Sequence, residues 1–362
     1  MTSENKKEIS LAILDDYANA APKHFQHLLS NLQISSFPQT LNPSSSPQNL
    51  ETLVQRLEEF EIISTMRERT PFPKELLQRL PKLQVLLTTG LRNSALDLDF
   101  AREKGVLVLG SRGERRSPNQ DDEEEEEEEA GEEELPPPKG WSAVNQHTWA
   151  LLLSLCSRIP HDDRSLKTSP KSWQSGLGIS LAGKTLGVVG LGKLGSALAR
   201  TAILGFGMRV LAWSENLTQA RADDVIAREG LPGGAIRVVG KEELFRKADV
   251  VSLHLVLGER TRGIVGEREL GFMKKRGILV NSSRGGLVHE GSLVEVLKSG
   301  GIWGAALDVF DQEPLGEGSV WRECEGWKGM VVLSPHMGYV NSGTINRYVL
   351  LCFLVDAVEE VY

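Results

Sequence analysis

The stretch "KTLGVVGLGKLGSALARTAILGFG", residues 184–207, leaves this chain little freedom of fold. An apolar run ends in Gly190-Leu191-Gly192-Lys193-Leu194-Gly195, and a run with helical periodicity follows at once. Glycines spaced this way are common in turns, and a purely structural turn is the plain alternative. Between a strand and a helix the pattern has a specific use. Gly190 permits the tight turn, Gly192 lets a pyrophosphate approach the backbone, and Gly195 lets helix and strand pack closely. The helix amino terminus then presents unpaired N–H groups to the phosphates. Residues 184–207 thus predict the first β-α unit of a dinucleotide-binding domain.

Short β-branched or leucine-rich runs alternate with helical stretches on both sides of an acidic run at 121–134. Before it come "LAILDD" (11–16), "EIISTM" (61–66), "QVLLTTG" (84–90) and "VLVLGS" (106–111), with helical periodicity in "NLETLVQRLEEF" between the first two. After it a helix, "HTWALLLSLCSRI" (147–159), leads to strands at 184–190, 208–213, 236–240, 249–256, 277–282, 304–310 and 330–336. Such alternation means parallel sheets covered by helices on both faces. The expected fold class is α/β, with two doubly wound parallel-sheet domains. Residues 1–113 form the first, flavodoxin-like; residues 114–140 are an insertion; residues 141–339 form the Rossmann domain.

The net charge of −8 comes from the insertion. Without the 12 acidic side chains of residues 121–134 the chain carries 41 basic against 37 acidic residues. That balance leaves no basic stripe, and nucleic acid is not an expected partner. The acidic run, flanked by "SRGERRSPNQ" and "LPPPKGW", cannot bury apolar surface and repels itself, so it reads as a disordered solvated loop. No stretch approaches the roughly 18 apolar residues that span a bilayer, and no membrane partner is expected. The opening "MTSENKKEIS" lacks a signal peptide's apolar core, so a cytoplasmic location is expected. Cys156, Cys324 and Cys352 show no metal-ligand spacing; they read as reduced, buried thiols, with no metal site.

Three polar residues stand just beyond the ends of strands in the second series. Arg284 follows "GILVNSS", Glu313 follows "GAALDVFDQ", and His336 ends "VVLSPH". Ligands of open α/β sheets bind beyond the carboxyl ends of the strands, so these three can meet beside the nicotinamide of a bound dinucleotide. Hydride transfer to or from an alcohol carbon uses such a set. An arginine grips a substrate carboxylate or polarises its carbonyl in a charge-assisted fork. A histidine takes or gives the hydroxyl proton, and a carboxylate orients it and favours its protonated form. Singly, each has a duller reading: a surface arginine, a glutamate before Pro314, a loop histidine. Their order after one dinucleotide motif favours a site. Arg284 also lies in "NSSRGG", where small neighbours leave the guanidinium uncrowded and allow a close backbone approach.

Together, "GVVGLGKLG", "NSSRGGLV", "ALDVFDQEP", "LSPHMGY" and the earlier "TTGLRNSALDL" resemble the D-isomer-specific 2-hydroxyacid dehydrogenase family over most of residues 9–345. The resemblance implies an oxidoreductase moving a hydride between NAD(P)H and a 2-keto acid or D-2-hydroxy acid, glyoxylate- or hydroxypyruvate-like or bulkier. It implies that Arg284 binds substrate and that Glu313 and His336 form the acid/base pair. It puts Lys193 and Leu194 at the pyrophosphate, with Val256, Ser282 and Asp308 lining the adenosine and nicotinamide pocket. Gly90, Leu91 and Arg92 match the segment whose backbone amides hold the substrate carboxylate. The first domain would bind substrate, residues 340–362 would return to it, and the protein would be a homodimer with the helix after the insertion near the interface. The chain departs from the family in the insertion and in "YVLLCFLV" (348–355), where a longer polar helical tail is usual. A dinucleotide-sensing, corepressor-like binding protein on the same fold is the alternative, because fold does not fix function.

The coenzyme is read as NAD or NADP. NAD-specific sites place Asp or Glu at the end of the second strand, about 20 residues past the glycines. Here "MRVLAW" is followed by Ser214, then Glu215 and Asn216. Serine can bond a hydroxyl or a phosphate without repelling the latter. No arginine stands at the strand end, and Glu215 disfavours a 2′-phosphate if it turns inward. Weak discrimination is the expectation.

Overall fold

A computed structural model describes residues 9–17, 19, 32–66, 68–89, 93, 95–110, 142–169 and 173–341. The acidic insertion, Gly90 to Arg92 and the apolar tail lie outside the described residues. The described residues divide into two compact units, residues 9–110 and 142–341.

The first unit is a five-stranded sheet of β1 (Ile9–Leu14), β2 (Leu32–Phe37), β3 (Ile62–Thr65), β4 (Val85–Thr88) and β5 (Leu107–Gly110). The order β2-β1-β3-β4-β5, with every pairing parallel, is that of a flavodoxin-like sheet. Alternate residues of each strand face opposite sides. Leu11 and Ile13 join Ile62, Val85 and Leu87 on one face. Ala12 and Leu14 join Ile63 and Leu86 on the other, under α1 (Pro47–Leu57), α2 (Lys74–Leu77) and α3 (Leu98–Lys104). α1 starts where it does because the Ser46 side chain accepts from Asn49 N–H at 3.1 Å and Pro47 occupies the first turn. β2, "LQISSF", was not among the expected strands. Among the described residues it pairs only with β1, and an edge strand tolerates serines that a central one would not.

Asp15, just past β1, is 2% exposed and has a left-handed backbone, φ +61°. Burial pushes its carboxyl above the ordinary value of 3.8, against hydrogen bonds from Thr40 and Thr70. A raised carboxylate favours the folded state below 3.8, and that advantage is lost as pH rises through the native value. Asparagine tolerates the left-handed backbone and keeps an acceptor for the threonines. Asp15→Asn is therefore expected to raise the urea midpoint above the native titration and to lose that gain below 3.8. A pH-independent difference between the two proteins would contradict this.

The second unit carries β6 (Thr185–Val189), β7 (Arg209–Trp213), β8 (Ile236–Val238), β9 (Val250–Leu253), β10 (Ile278–Asn281), β11 (Gly304–Leu307) and β12 (Met330–Leu333). The order β12-β11-β10-β9-β6-β7-β8 is a Rossmann sheet with one added edge strand, again wholly parallel. Leu186, Val188, Val210, Val280 and Ala306 face α4 (Ala143–Cys156), α6 (Lys193–Phe206) and α7 (Gln219–Glu229). Val189, Leu211, Val251, Leu279 and Ala305 face α8 (Lys241–Lys247), α9 (Glu267–Phe272) and α10 (Glu290–Ser299). A further helix, α5 (Ile159–Thr168), follows α4 and contributes no buried residue. α4 is held to its face by Trp149, stacked on Phe206 with ring centroids 4.4 Å apart, and by buried Leu152 and Leu155. Cys156 is a buried free thiol whose pKa burial pushes up to about 11, so it is a poor nucleophile; Cys324 is free and only part-buried.

Candidate active site

Strand β6 feeds the glycine turn as its spacing demands. Gly190 has φ +101°, and a Cβ there would lie 2.8 Å from the His254 carbonyl oxygen. A Cβ on Gly195 would lie 2.1 Å from the Gly190 carbonyl oxygen, so only glycine lets α6 start this close to β6. Gly192 differs: among the described residues nothing lies within 4 Å of its missing Cβ. It is the N-cap of α6, and no side chain caps that helix. A cavity of about 380 Å³ adjoins the turn, lined in part by Gly192, Lys193 and Arg228. Open space over uncapped N–H groups beside a lysine suits a pyrophosphate, so the residues fit a bound dinucleotide. Lys193 is exposed and Leu194 half-buried.

Because β10, β11 and β12 are parallel neighbours, the loops after them leave the same edge of the sheet. After β10, buried Asn281 shapes the turn: its Nδ2 donates to the Arg284 carbonyl at 2.9 Å and its Oδ1 accepts from Ser283 N–H at 3.1 Å. Ser283 Oγ donates to the Leu255 carbonyl at 2.8 Å. Arg284 then opens a 3-10 turn, Gly285–Leu287. A Cβ on Gly285 would lie 2.1 Å from the carbonyl carbon of Phe310, so the Arg284 turn rests directly on the backbone leaving β11. That backbone is what the small neighbours of Arg284 admit.

Three residues past Phe310 stands Glu313. Its Oε1 accepts from Phe310 N–H at 2.9 Å, and its Oε2 lies 2.5 Å from His336 Nδ1, both side chains part-buried. With Nδ1 engaged by the carboxylate, Nε2 is the nitrogen left for a substrate. His336 has φ +56° and packs edge-on to Tyr339, centroids 5.5 Å apart. The expected glutamate–histidine pair is therefore in contact, with the Arg284 turn packed against the glutamate's own loop. Gly90, Leu91 and Arg92, expected to hold a substrate carboxylate, lie outside the described residues.

The remaining expected contacts divide by exposure. Val256, beyond β9, is 81% exposed, an unusual position for valine unless something covers it. Ser282 and Asp308 are buried, and their side chains are engaged inside the unit. Ser282 Oγ lies 2.6 Å from Thr148 Oγ1 of α4. Asp308 Oδ1 takes bonds from His147 Nε2 (3.1 Å), Ser334 Oγ and Met337 N–H (2.8 Å), while Oδ2 takes Gly338 N–H (2.9 Å). Sequence reasoning missed His147 and Thr148. No local signal marked them, because their partners Asp308 and Ser282 lie 161 and 134 residues away in sequence. At the end of β7, Ser214 is half-buried and Glu215 exposed. No arginine was expected near this strand end, yet Arg221, in the first turn of α7, reaches back with Nη1 donating to the Asn216 carbonyl at 3.2 Å.

Residues 149–338 match the model for the D-isomer specific 2-hydroxyacid dehydrogenase family, NAD binding domain. The chain belongs to that family. It is 31% identical over 304 residues to a glyoxylate reductase of Thermococcus litoralis, covering 82% of this chain and 79% of the relative. It is 30% identical over 264 residues to a D-3-phosphoglycerate dehydrogenase of Methanocaldococcus jannaschii, covering 73% of this chain but 44% of that longer protein. A phosphoglycerate oxidoreductase from Vibrio cholerae aligns in structure with a TM-score of 0.78 and 30% identity, covering 98% of this chain and 99% of that one. As a 2-hydroxyacid dehydrogenase the chain is an NAD(P)-dependent oxidoreductase acting on a CH–OH group. The corepressor-like alternative draws no support from these relatives. Among the described residues no helix is long and apolar enough to cross a membrane.

Proposed function

We propose that Arg284, Glu313 and His336 are the working residues of a small 2-keto acid reductase, with glyoxylate or hydroxypyruvate as substrate. Bound NAD(P)H supplies the hydride to the keto carbon. Arg284 pairs with the substrate carboxylate or polarises its carbonyl through a planar fork. His336 delivers the proton from Nε2 to the carbonyl oxygen, and Glu313 at Nδ1 fixes the ring and balances its charge. Microscopic reversal oxidises the D-2-hydroxy acid. The observation that carries this reading is the 2.5 Å contact between His336 Nδ1 and Glu313 Oε2, on loops that share a sheet edge with Arg284. Support for a small substrate comes from the relatives named glyoxylate reductase.

The reading extends to the rest of the chain. Residues 1–113, with 340–362, make the substrate domain and residues 141–339 the coenzyme domain. The protein works as a cytoplasmic homodimer. Gly190, Gly192, Lys193, Leu194 and Gly195 hold the pyrophosphate, Ser214 meets the adenosine ribose, and Val256, Ser282 and Asp308 border the pocket. Gly90, Leu91 and Arg92 receive the substrate carboxylate.

The test is loss of absorbance at the reduced-nicotinamide band, with glyoxylate, hydroxypyruvate and bulkier 2-keto acids, each with NADH and NADPH. Glyoxylate or hydroxypyruvate is expected to give the highest kcat/KM. Ser214 admits a 2′-phosphate and Arg221 lies one loop away, whereas exposed Glu215 opposes it. Neither coenzyme is then expected to be preferred by more than roughly 10²-fold, about 2.7 kcal/mol. Absence of turnover with every keto acid would refute the reading, and a preference above roughly a thousandfold (about 4.1 kcal/mol) would refute its coenzyme part.

A further inference from the structure

We propose that His147 is a positioning residue for His336, acting with Ser334 through the buried carboxylate of Asp308. The inference rests on the assignment of His336 as the acid/base group. α4 lies against β10, β11 and β12 and carries two adjacent polar side chains to the roots of the loops after them. Thr148 Oγ1 lies 2.6 Å from Ser282 Oγ, after β10. His147 Nε2 lies 3.1 Å from Asp308 Oδ1, after β11, and 2.9 Å from Ser334 Oγ, after β12. Two consecutive residues of α4 thus touch the base of each loop that bears Arg284, Glu313 or His336.

What His147 holds is the anchor of the His336 loop. Asp308 is 1% exposed. Its carbonyl oxygen accepts from His336 N–H at 2.8 Å, and its two carboxylate oxygens accept from Met337 N–H and Gly338 N–H. These three consecutive backbone bonds fix the segment in which His336 takes its left-handed conformation, φ +56°. A residue with a Cβ stays there only when its surroundings hold it. A buried carboxylate can hold it only if its own charge is satisfied. Burial by itself would push the Asp308 carboxyl up, but the hydrogen bonds from His147 and Ser334, with that from Met337 N–H, hold it below the ordinary carboxylate value. Against an ionised acceptor the Nε2 of His147 carries the proton, which makes it a donor to Oδ1. The plainer alternative is a histidine that merely fills space beneath the sheet edge. Space-filling would survive loss of the nitrogen; positioning would not.

The experiment measures keto-acid reduction by His147→Leu, His147→Gln, Ser334→Ala and His336→Ala, using the panel's most active 2-keto acid (glyoxylate, as expected) with NADH. Leucine keeps much of the volume and removes the donor. It is expected to lower kcat roughly 10–10²-fold, the scale of a misplacement of about 1 Å, with the KM for NADH unchanged. Glutamine can place its amide nitrogen where Nε2 stands, and most of kcat should return. Ser334→Ala removes a second donor at almost no change of volume, and a fall in kcat is expected there too. Equal loss in the Leu and Gln variants, or a Leu variant with wild-type kcat, overturns the proposal. If His147→Leu fails to fold, wild-type kcat in Ser334→Ala overturns it instead. Loss of activity in His336→Ala without loss in the others would sink this inference alone, whereas full activity in His336→Ala would sink the assignment beneath it.

Discussion

Replacing His336 by alanine should lower turnover of keto acids on the order of 10²–10⁴-fold, the share that general acid–base catalysis usually supplies. The Nδ1 side of the ring is fixed by Glu313 Oε2 at 2.5 Å and the backbone is fixed by Asp308. On the proposed mechanism, what the substitution removes is therefore the proton delivered from Nε2, together with the orientation that makes it useful. Coenzyme affinity should change little, because the glycine turn after β6 gains nothing from this side chain. The left-handed backbone at His336, φ +56°, complicates the alanine variant, since histidine and asparagine adopt that region more readily than alanine does. His336→Asn is the proper companion, because asparagine visits that conformation readily. If both variants lose turnover while melting temperature is held only by Asn, the imidazole is responsible. Glu313→Gln keeps one acceptor, for Phe310 N–H, but turns an amide NH2 rather than a carboxylate oxygen toward Nδ1. The ring stays in place with its charge partner gone, so turnover should fall less than in the His336 variants. Turnover at the wild-type rate in both His336 variants would remove His336 from the mechanism.

How far the sequence led depends on the range of the interaction. The turn Gly190 to Gly195 was legible because its demands are local. The backbone must turn at Gly190, and a Cβ on Gly195 would strike Gly190 itself. Arg284, Glu313 and His336 were legible for a related reason. Each ends or follows an apolar run, and parallel strands deliver such residues to one edge. β2 was not legible, since "LQISSF" lies on a sheet edge where the apolar pattern is relaxed. His147 and Thr148 were also hidden. Their partners Asp308 and Ser282 are 161 and 134 residues away in sequence, and no periodicity within α4 indicates what its polar pair meets. Arg221 was not legible because it returns to the strand end from the first turn of the next helix. The family resemblance implied a pocket role for Asp308; its bonds make it the anchor of the His336 loop.

Gly285→Ala should be among the most damaging single substitutions in the second unit, with a roughly 10²-fold fall in kcat, because reacting groups tolerate so little misplacement. The residue has an ordinary neighbourhood in sequence, "SSRGGLV", and nothing there separates Gly285 from Gly286. The structure separates them. A Cβ on Gly285 would sit 2.1 Å from both C and O of Phe310 and 2.6 Å from Asp311 N, all backbone atoms. Phe310 cannot give way cheaply: it is 8% exposed, packs in the core, and its N–H is bonded to Glu313 Oε1. The new methyl must therefore push the Arg284 turn and the Glu313 loop apart, moving two of the proposed working residues at once. Overpacking of this kind also costs about 1–3 kcal/mol of stability. A Cβ on Gly286 would meet Arg262 Nη1 at 2.9 Å and Leu257 methyls at 3.2 and 3.3 Å, the far ends of flexible side chains. Gly286→Ala should be nearly silent, and it controls for a methyl in the same turn. Urea midpoints and kcat for the two variants decide the matter. Equal, small effects would mean that the Arg284 turn does not rest on Phe310, and the shared placement of arginine and glutamate would lose its physical basis.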